Sequence, residues 1–354
     1  MAILSEEQEM LRDMARDWAA NESPVAAFRK LRDAGDGFDR AAWEAMAAMG
    51  WTGVVIPEAY GGSDFGWLSM GLVAEELGKT LTASPLVAST VAASAVMLGG
   101  SEAQQSNWLP RIAGGQAIAT LAVDEGPHHD PARIAARVSD GKLTGTKPFV
   151  AEAANADLFV VAAADGLYLV EKGAGVTLSP RSLTDQRSHA EVRFDGASAE
   201  RLAGGGDTLI DDVLDRARIL ASCEMLGMAQ QVFDVTLDYL KQRVQFNQVL
   251  SSFQALQHRM ADLFGDLAMM RSAVEGGLQA LDSGFGVARA ATIAKAEANR
   301  VLHKITNEGI QLHGGIGMTD EYDIGFYLKR ARVLEAQWGG TAFLRDRFAT
   351  LGGY

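Results

Sequence analysis

The chain is poor in thiols, in basic charge and in long apolar runs. Its 354 residues include one cysteine, Cys223. A single thiol forms no intrachain disulfide and no cysteine-rich metal site, so a reducing compartment, the cytoplasm, is expected. Cys223 ends the apolar run Ile219-Leu220-Ala221-Ser222-Cys223, which reads as a packed core thiol rather than a nucleophile. Lys and Arg number 32 against 45 Asp and Glu, a formal charge of −13. So acidic a surface repels phosphate backbones and argues against nucleic acid as a partner. It leaves room for one local basic pocket for a phosphorylated ligand. No run of about 18 uncharged apolar residues is present, so no membrane span is expected. The start, Met1-Ala2-Ile3-Leu4-Ser5-Glu6-Glu7, is acidic and lacks the apolar core of a secretion signal.

What is present describes a folded chain. Hydrophobic residues make up 48% and charged residues 22%, which excludes intrinsic disorder. Residues 4–48 read as mostly helix. Ser5 and Gln8 have the spacing of a capping box, and Leu11, Met14, Ala15 and Trp18 recur on one face. Four glycines and Pro57 break the helical pattern over residues 50–63. Helical periodicity returns from 66 to about 116, with breaks at Ser84-Pro85 and Gly99-Gly100. Residues 117–200 hold short β-rich runs, among them Ala117–Val123, Ala136–Val138, Leu158–Ala163, Leu167–Glu171 and Ala190–Phe194. Such spacing suggests a compact antiparallel barrel or sandwich. Leu202-Ala203-Gly204-Gly205-Gly206-Asp207 lacks the Lys and Ser/Thr of a phosphate-binding loop and reads as a linker. Helices are then expected near 208–242, 254–282, 286–313 and 323–350, as an antiparallel four-helix bundle.

Four short motifs stand in order along this frame. They are Met49-Gly50…Gly53…Pro57-Glu58…Tyr60-Gly61-Gly62; Leu143-Thr144-Gly145-Thr146-Lys147…Ala156-Asp157-Leu158; Arg243-Val244-Gln245-Phe246…Phe253-Gln254…Gln257-His258…Ala261-Asp262; and Gln311-Leu312-His313-Gly314-Gly315-Ile316-Gly317-Met318-Thr319…Glu321-Tyr322. Together they resemble the acyl-CoA dehydrogenase family, over nearly the whole chain. The resemblance implies an α+β multidomain, mainly α fold. An N-terminal helical domain (1–116) precedes a middle antiparallel β-barrel or sandwich domain (117–205). A C-terminal four-helix bundle (206–354) carries the oligomer interface. The implied reaction removes an α-proton from an acyl-CoA thioester and transfers the β-hydride to FAD, giving the 2,3-enoyl-CoA. The resemblance also implies an electron-transfer flavoprotein as electron acceptor and a homo- or heterotetramer with shared flavin sites.

Elementary chemistry supports part of this. A diphosphate needs donors and positive charge. Arg243, at a helix end, offers a forked guanidinium. Gly314-Gly315 lets bare backbone N–H groups approach phosphate oxygens. By resemblance, Arg243, Phe246, Gln254, Gln311, Gly314, Gly315 and Thr341 hold FAD. The first of these has a solvated helix-end charge as its alternative reading, and the glycine pair a plain helix–helix turn. Asp215 and Arg218, three apart on one helix face, resemble the family's Asp-x-x-Arg beside the thioester, with a surface ion pair as the alternative. Trp338 points to an altered pocket floor.

The family pattern fails where the base belongs. The usual Glu position near the C-terminus is Gly339, in Gln337-Trp338-Gly339-Gly340-Thr341, and the alternative position on the first bundle helix is Ala217. Loss of a general base costs about 10²–10⁴-fold in rate. The catalytic base is thus unassigned, and Glu335 and His313 are the substitutes at hand, each reading more readily as structural. The family's Thr-Glu-Pro…Gly-Ser-Asp segment is Asp124-Glu125-Gly126-Pro127-His128-His129-Asp130 here, and its flavin-bonding Thr is Ala151, which has no hydroxyl. His128-His129-Asp130 lacks a third ligand, so no metal is expected. Contacts to the chain's own flavin ring look eroded, and those lent to a neighbour look retained. The pattern suggests the base-less subunit of a heteromeric α₂β₂ enzyme. A lone-active dehydrogenase, a flavin-dependent monooxygenase of the same fold and a non-catalytic assembly subunit are the other readings.

Overall fold

The computed structural model describes Ile3–Tyr354. Its chain clusters into two compact units. Unit 1 takes residues as far as Ala26, Gly71–Thr82 and Arg218–Tyr354; unit 2 takes Ala27–Met70 and Ala83–Ala217. Three helices, over residues 25–34, 66–79 and 209–242, are therefore divided between them.

The helices begin with α1 (Glu6–Glu22), α2 (Val25–Ala34), α3 (Arg40–Ala48), α4 (Gly66–Lys79), α5 (Leu86–Gly99) and α6 (Glu102–Ala113). Ser5 Oγ accepts from the Gln8 amide and the Gln8 side chain returns to the Ser5 amide, so the expected capping box is formed. Ser101 and Gln104 repeat it at α6. Helix α5 is apolar almost all round and buried along its length, packing in unit 2 against α6.

Unit 2 also holds the strands β1 (Ala119–Ala122), β2 (Arg137–Ser139), β3 (Lys142–Ala151), β4 (Leu158–Ala163), β5 (Gly166–Glu171), β6 (Val176–Pro180), β7 (His189–Ser198) and β8 (Glu200–Arg201). They form two open four-stranded sheets, β1-β4-β5-β8 and β2-β3-β7-β6. The expected layers are present, and neither sheet closes into a barrel. One pairing, β1 with β4, is parallel; the chain between them leaves the sheet to build β2 and β3, so the two strands can run the same way. The core between the sheets is Leu143, Phe159, Val161, Val170, Val192 and Phe194, with Phe159 and Phe194 edge to face at 6.1 Å. One charge is buried beside it. Lys147 Nζ donates to Val123 O at 2.7 Å and to Glu125 Oε1 at 2.8 Å. Glu125 also accepts from the amides of Ala135 and Ala136. Burial works against the Glu125 charge, but these donors outweigh it and hold the carboxyl below its ordinary value. Burial pushes the Lys147 amine down against the pull of Glu125.

Unit 1 is helical. Helix α7 (Leu209–Gln242) leads into a small hairpin, β9 (Val244–Gln245) and β10 (Gln248–Val249), and then α8 (Gln254–Ser283), α9 (Val287–His313), α10 (Ile324–Ala336) and α11 (Thr341–Leu351). The first three bundle helices stand within a residue or so of their expected ranges. The fourth, expected unbroken from 323 to 350, is two helices. Trp338 (φ +58°) and Gly339 (φ +124°) leave helical geometry and end α10. Helix α9 packs against α8, α10 and α11. The Gly71–Thr82 segment is fastened to the bundle by Arg271, which donates to both Glu75 oxygens at 2.7 and 3.1 Å, and by Tyr327 Oη, which donates to Lys79 O at 2.5 Å. Cys223 is buried and donates to Ile219 O, and burial raises its thiol pKa, as a core thiol requires.

Candidate functional site

One end of the bundle gathers most of the residues expected to hold a dinucleotide. Arg243 follows the last turn of α7, its amide donating to Tyr239 O at 2.9 Å and its carbonyl accepting from Leu250 at 2.8 Å. Tyr239 Oη donates to His313 O at 3.3 Å, which brings the end of α7 against the end of α9. Gly314 and Gly315 follow directly. Gly314 takes φ +65° and its absent Cβ would face open space, so the turn needs glycine for its backbone and leaves its surface bare. Phe246, 85% exposed at the hairpin tip, meets Phe253 edge to face at 6.1 Å, and Gln254 opens α8. Arg243, Gln254, Gln311, Gly314 and Gly315 are all exposed.

His313 is the buried member of this cluster. Its ring stacks on Tyr239 at 4.4 Å and tilts against Tyr322 at 4.8 Å. Nδ1 lies 2.7 Å from Gly309 O. A carbonyl only accepts, so Nδ1 carries the proton. Burial pushes the imidazole pKa down, and Nε2 is left as a buried acceptor without a partner among the described residues.

Thr341 is not brought to this end. It opens α11 and lines a groove of about 400 Å³ with Ile293, Ala296, Arg300 and Leu344. Arg300 and Gln311 are themselves separated by roughly 16 Å along α9. Within one chain the expected FAD contacts thus fall at two places.

The segment expected to bear the base is a tight turn. Arg218 is fully buried, and its Nε donates to Trp338 O at 2.9 Å. Lys295 is fully buried as well; its Nζ donates to Asn299 Oδ1 at 2.6 Å and to Leu334 O at 2.8 Å. Asn299 Nδ2 donates to Gly339 O at 3.2 Å. Three side chains from α7 and α9 so satisfy the carbonyls that the end of α10 leaves open. Burial, reinforced by the Arg218 charge, pushes the Lys295 pKa down to about 7, against the pull of Glu335. Sequence reading passed over Lys295 and Asn299. Their signal is a lysine in step with Ala291, Ala298 and Leu302, on the buried side of α9.

The remaining expected residues have definite places. Trp338 is 9% exposed. Arg218 is no surface charge, and Asp215, in unit 2, is 2% exposed and equally buried. Ala217 is wholly buried too. Glu335 accepts from Arg332 Nη1 at 2.7 and 2.9 Å and lies 3.0 Å from His303 Nδ1, so its carboxylate is already engaged. Ala151 offers only its carbonyl, taken by Thr120 Oγ1 at 2.7 Å. His129 Nδ1 lies 2.9 Å from Asp124 Oδ1.

Comparison with known proteins agrees with this architecture. Residues 5–116 match the family model of the acyl-CoA dehydrogenase N-terminal domain, and residues 204–350 that of the acyl-CoA dehydrogenase C-terminal domain. Acyl-CoA dehydrogenase IpdE2 of Mycolicibacterium smegmatis is 31% identical over 331 residues, which cover 93% of each chain. Among solved structures, a variant of the Tcur3481–Tcur3483 steroid ACAD superposes with a TM-score of 0.92 at 28% identity, covering 98% of each chain. The ChsE4–ChsE5 complex from Mycobacterium tuberculosis does so with a TM-score of 0.92 at 25% identity, covering 100% of this chain and 99% of that one. No helix among the described residues is long and apolar enough to cross a membrane. The chain belongs to the acyl-CoA dehydrogenase family, FAD-dependent oxidoreductases that act on acyl-CoA.

Proposed function

We propose that this protein is the base-less subunit of a cytoplasmic, heteromeric acyl-CoA dehydrogenase, oxidising an acyl-CoA to its 2,3-enoyl-CoA together with a homologous subunit. One observation carries the reading: neither position at which the family places its base bears an ionisable group, Gly339 and Ala217 standing there. Glu335, the nearest substitute, is engaged by Arg332 and His303.

The donor set at the end of the bundle fits FAD. A diphosphate presents only acceptors, and this end presents the exposed Arg243 guanidinium and, at the Gly314–Gly315 turn, an exposed main chain bare of Cβ, although the Gly314 amide itself already donates to Gln311 O. Gln311 and Gln254 add amide donors beside them. His313 holds the turn: its ring is packed between two tyrosines and its carbonyl is tied to Tyr239. Thr341, on the separate groove, would serve a different FAD from the one at Arg243, as in an assembly that shares cofactors between chains. When bound, FAD supplies the hydride acceptor. Arg218, Lys295 and Asn299 fix the turn that faces the acyl chain, with Trp338 as its floor; Asp215 lies on the preceding turn of α7. Relatives whose names describe a steroid ACAD and a two-protein complex support a steroid-type acyl-CoA as substrate and an unlike partner chain. A solved structure described as the electron-transferring flavoprotein of Acidaminococcus fermentans holds a chain of this fold at 26% identity, which supports an electron-transfer flavoprotein as acceptor.

The test is a visible absorption spectrum with its flavin-to-chain ratio, first on the protein alone and then co-expressed with a homologous subunit. The expected outcome is substoichiometric flavin alone and anaerobic bleaching by acyl-CoA only in the mixed assembly. Stoichiometric FAD and full dehydrogenase activity in the lone protein would overturn the reading.

A further inference from the structure

The turn between α10 and α11 is shaped as if no side chain were meant to stand at its centre. Gly339 takes φ +124°, in the half of conformational space that residues with a Cβ avoid. Its carbonyl is held by Asn299 Nδ2 at 3.2 Å and the preceding carbonyl by Arg218 Nε at 2.9 Å, so the peptide cannot rotate without stripping two buried donors of their acceptors. A Cβ built there would stand 2.8 Å from Phe343 Cδ1, 3.3 Å from Cε1 and 3.4 Å from Leu344 Cδ2. The Phe343 ring is half-buried and has a buried cation over it. The Arg218 guanidinium carbon lies 5.6 Å from its centroid, and Arg218 is fully buried.

We infer that position 339 is closed to any side chain and that Phe343 is the residue that closes it. The inference deepens the base-less reading and rests on it for the meaning of that position. A carboxylate lost by substitution alone leaves a space that a glutamate could reoccupy. Here the space belongs to Phe343, and the backbone is clamped in a conformation that suits glycine. Gly339→Glu by itself therefore does not reinstall a general base, and Phe343 has to be shortened first.

The test is a double-mutant cycle on the full chain, read by thermal unfolding in circular dichroism, with wild type, Gly339→Glu, Phe343→Ala and the double variant. Gly339→Glu is expected to lower the midpoint by about 5 °C or more when Phe343 is present, and by at least about 2 °C less when residue 343 is alanine. An equal loss in both backgrounds, or no loss in the first, overturns the inference. Should the glutamate variant fail to fold, Gly339→Ala runs the same cycle with the same two outcomes, because one methyl group already meets the ring. Melting needs neither substrate nor a filled flavin site, so this result stands apart from the flavin-ratio test of the base-less reading.

Discussion

Lys295 is a lysine where a methionine would cause no surprise. Its amine is fully buried, with two acceptors and a neighbouring guanidinium. With a folded pKa near 7, against about 10.4 unfolded, the unfolded chain binds more protons between those two values. Stability therefore rises with pH across roughly 7 to 10, because the buried charge is relieved there, and is pH-independent for this group below 7. Urea unfolding at a series of pH values should show that slope, and Lys295→Met should abolish it. The Met variant also strands the Leu334 carbonyl and the Asn299 amide oxygen, so its stability at pH 8 should fall by about 1–3 kcal/mol. Lys147 behaves differently because its partner is a carboxylate. Lys147→Met leaves Glu125 with amide donors but no counter-charge and is expected to cost about 3 kcal/mol by denaturant unfolding. Adding Glu125→Leu should recover part of that loss.

Among the elements, the α7 end, the hairpin and the α9 end act together. Their contacts are main-chain hydrogen bonds and stacked rings, while Arg243 and Gly315 remain exposed. Arg243→Gln should leave the melting midpoint of the flavin-free protein unchanged and weaken FAD binding about ten- to a hundredfold, the worth of one charged hydrogen-bonding group, by flavin titration of the mixed assembly. Gly314→Ala should differ in kind. Its Cβ meets nothing, so only the backbone cost of φ +65°, ψ −140°, about 1–3 kcal/mol by denaturant unfolding, reaches stability. The broken fourth helix follows from the same geometry. Gln337-Trp338-Gly339-Gly340 contains a glycine pair that can stop a helix, but the periodic apolar residues on either side read as one continuous face.

Across the whole molecule, two compact units share one chain, and the residues expected to touch FAD lie at separate ends of unit 1. On the proposed reading, another subunit completes these cofactor contacts. Co-expression with a homologous subunit should therefore raise the flavin-to-chain ratio and, through binding linkage, the melting midpoint. At a FAD concentration one hundred times Kd the gain is about 2.7 kcal/mol.

Local signals could be read in the chain directly. The Ser5–Gln8 capping box, the first three bundle helices at 3.6-residue spacing, the β-rich runs and the glycine turn after His313 each depend on neighbours a few residues away, and each forms as its pattern indicates. Family membership was legible for the same reason, since its motifs are short and ordered. That Gly339 and Ala217 carry no ionisable group was legible too, because it is a matter of composition. The long-range contacts were not. Lys295 as a clamp, Arg218 as a partner of Trp338 O, the parallel pairing of β1 with β4 and the closure of position 339 by Phe343 all join residues distant in sequence or turn on a backbone angle. Propensity and periodicity describe what a residue prefers next to its neighbours, and only packing decides which distant carbonyl, ring or strand it finally meets.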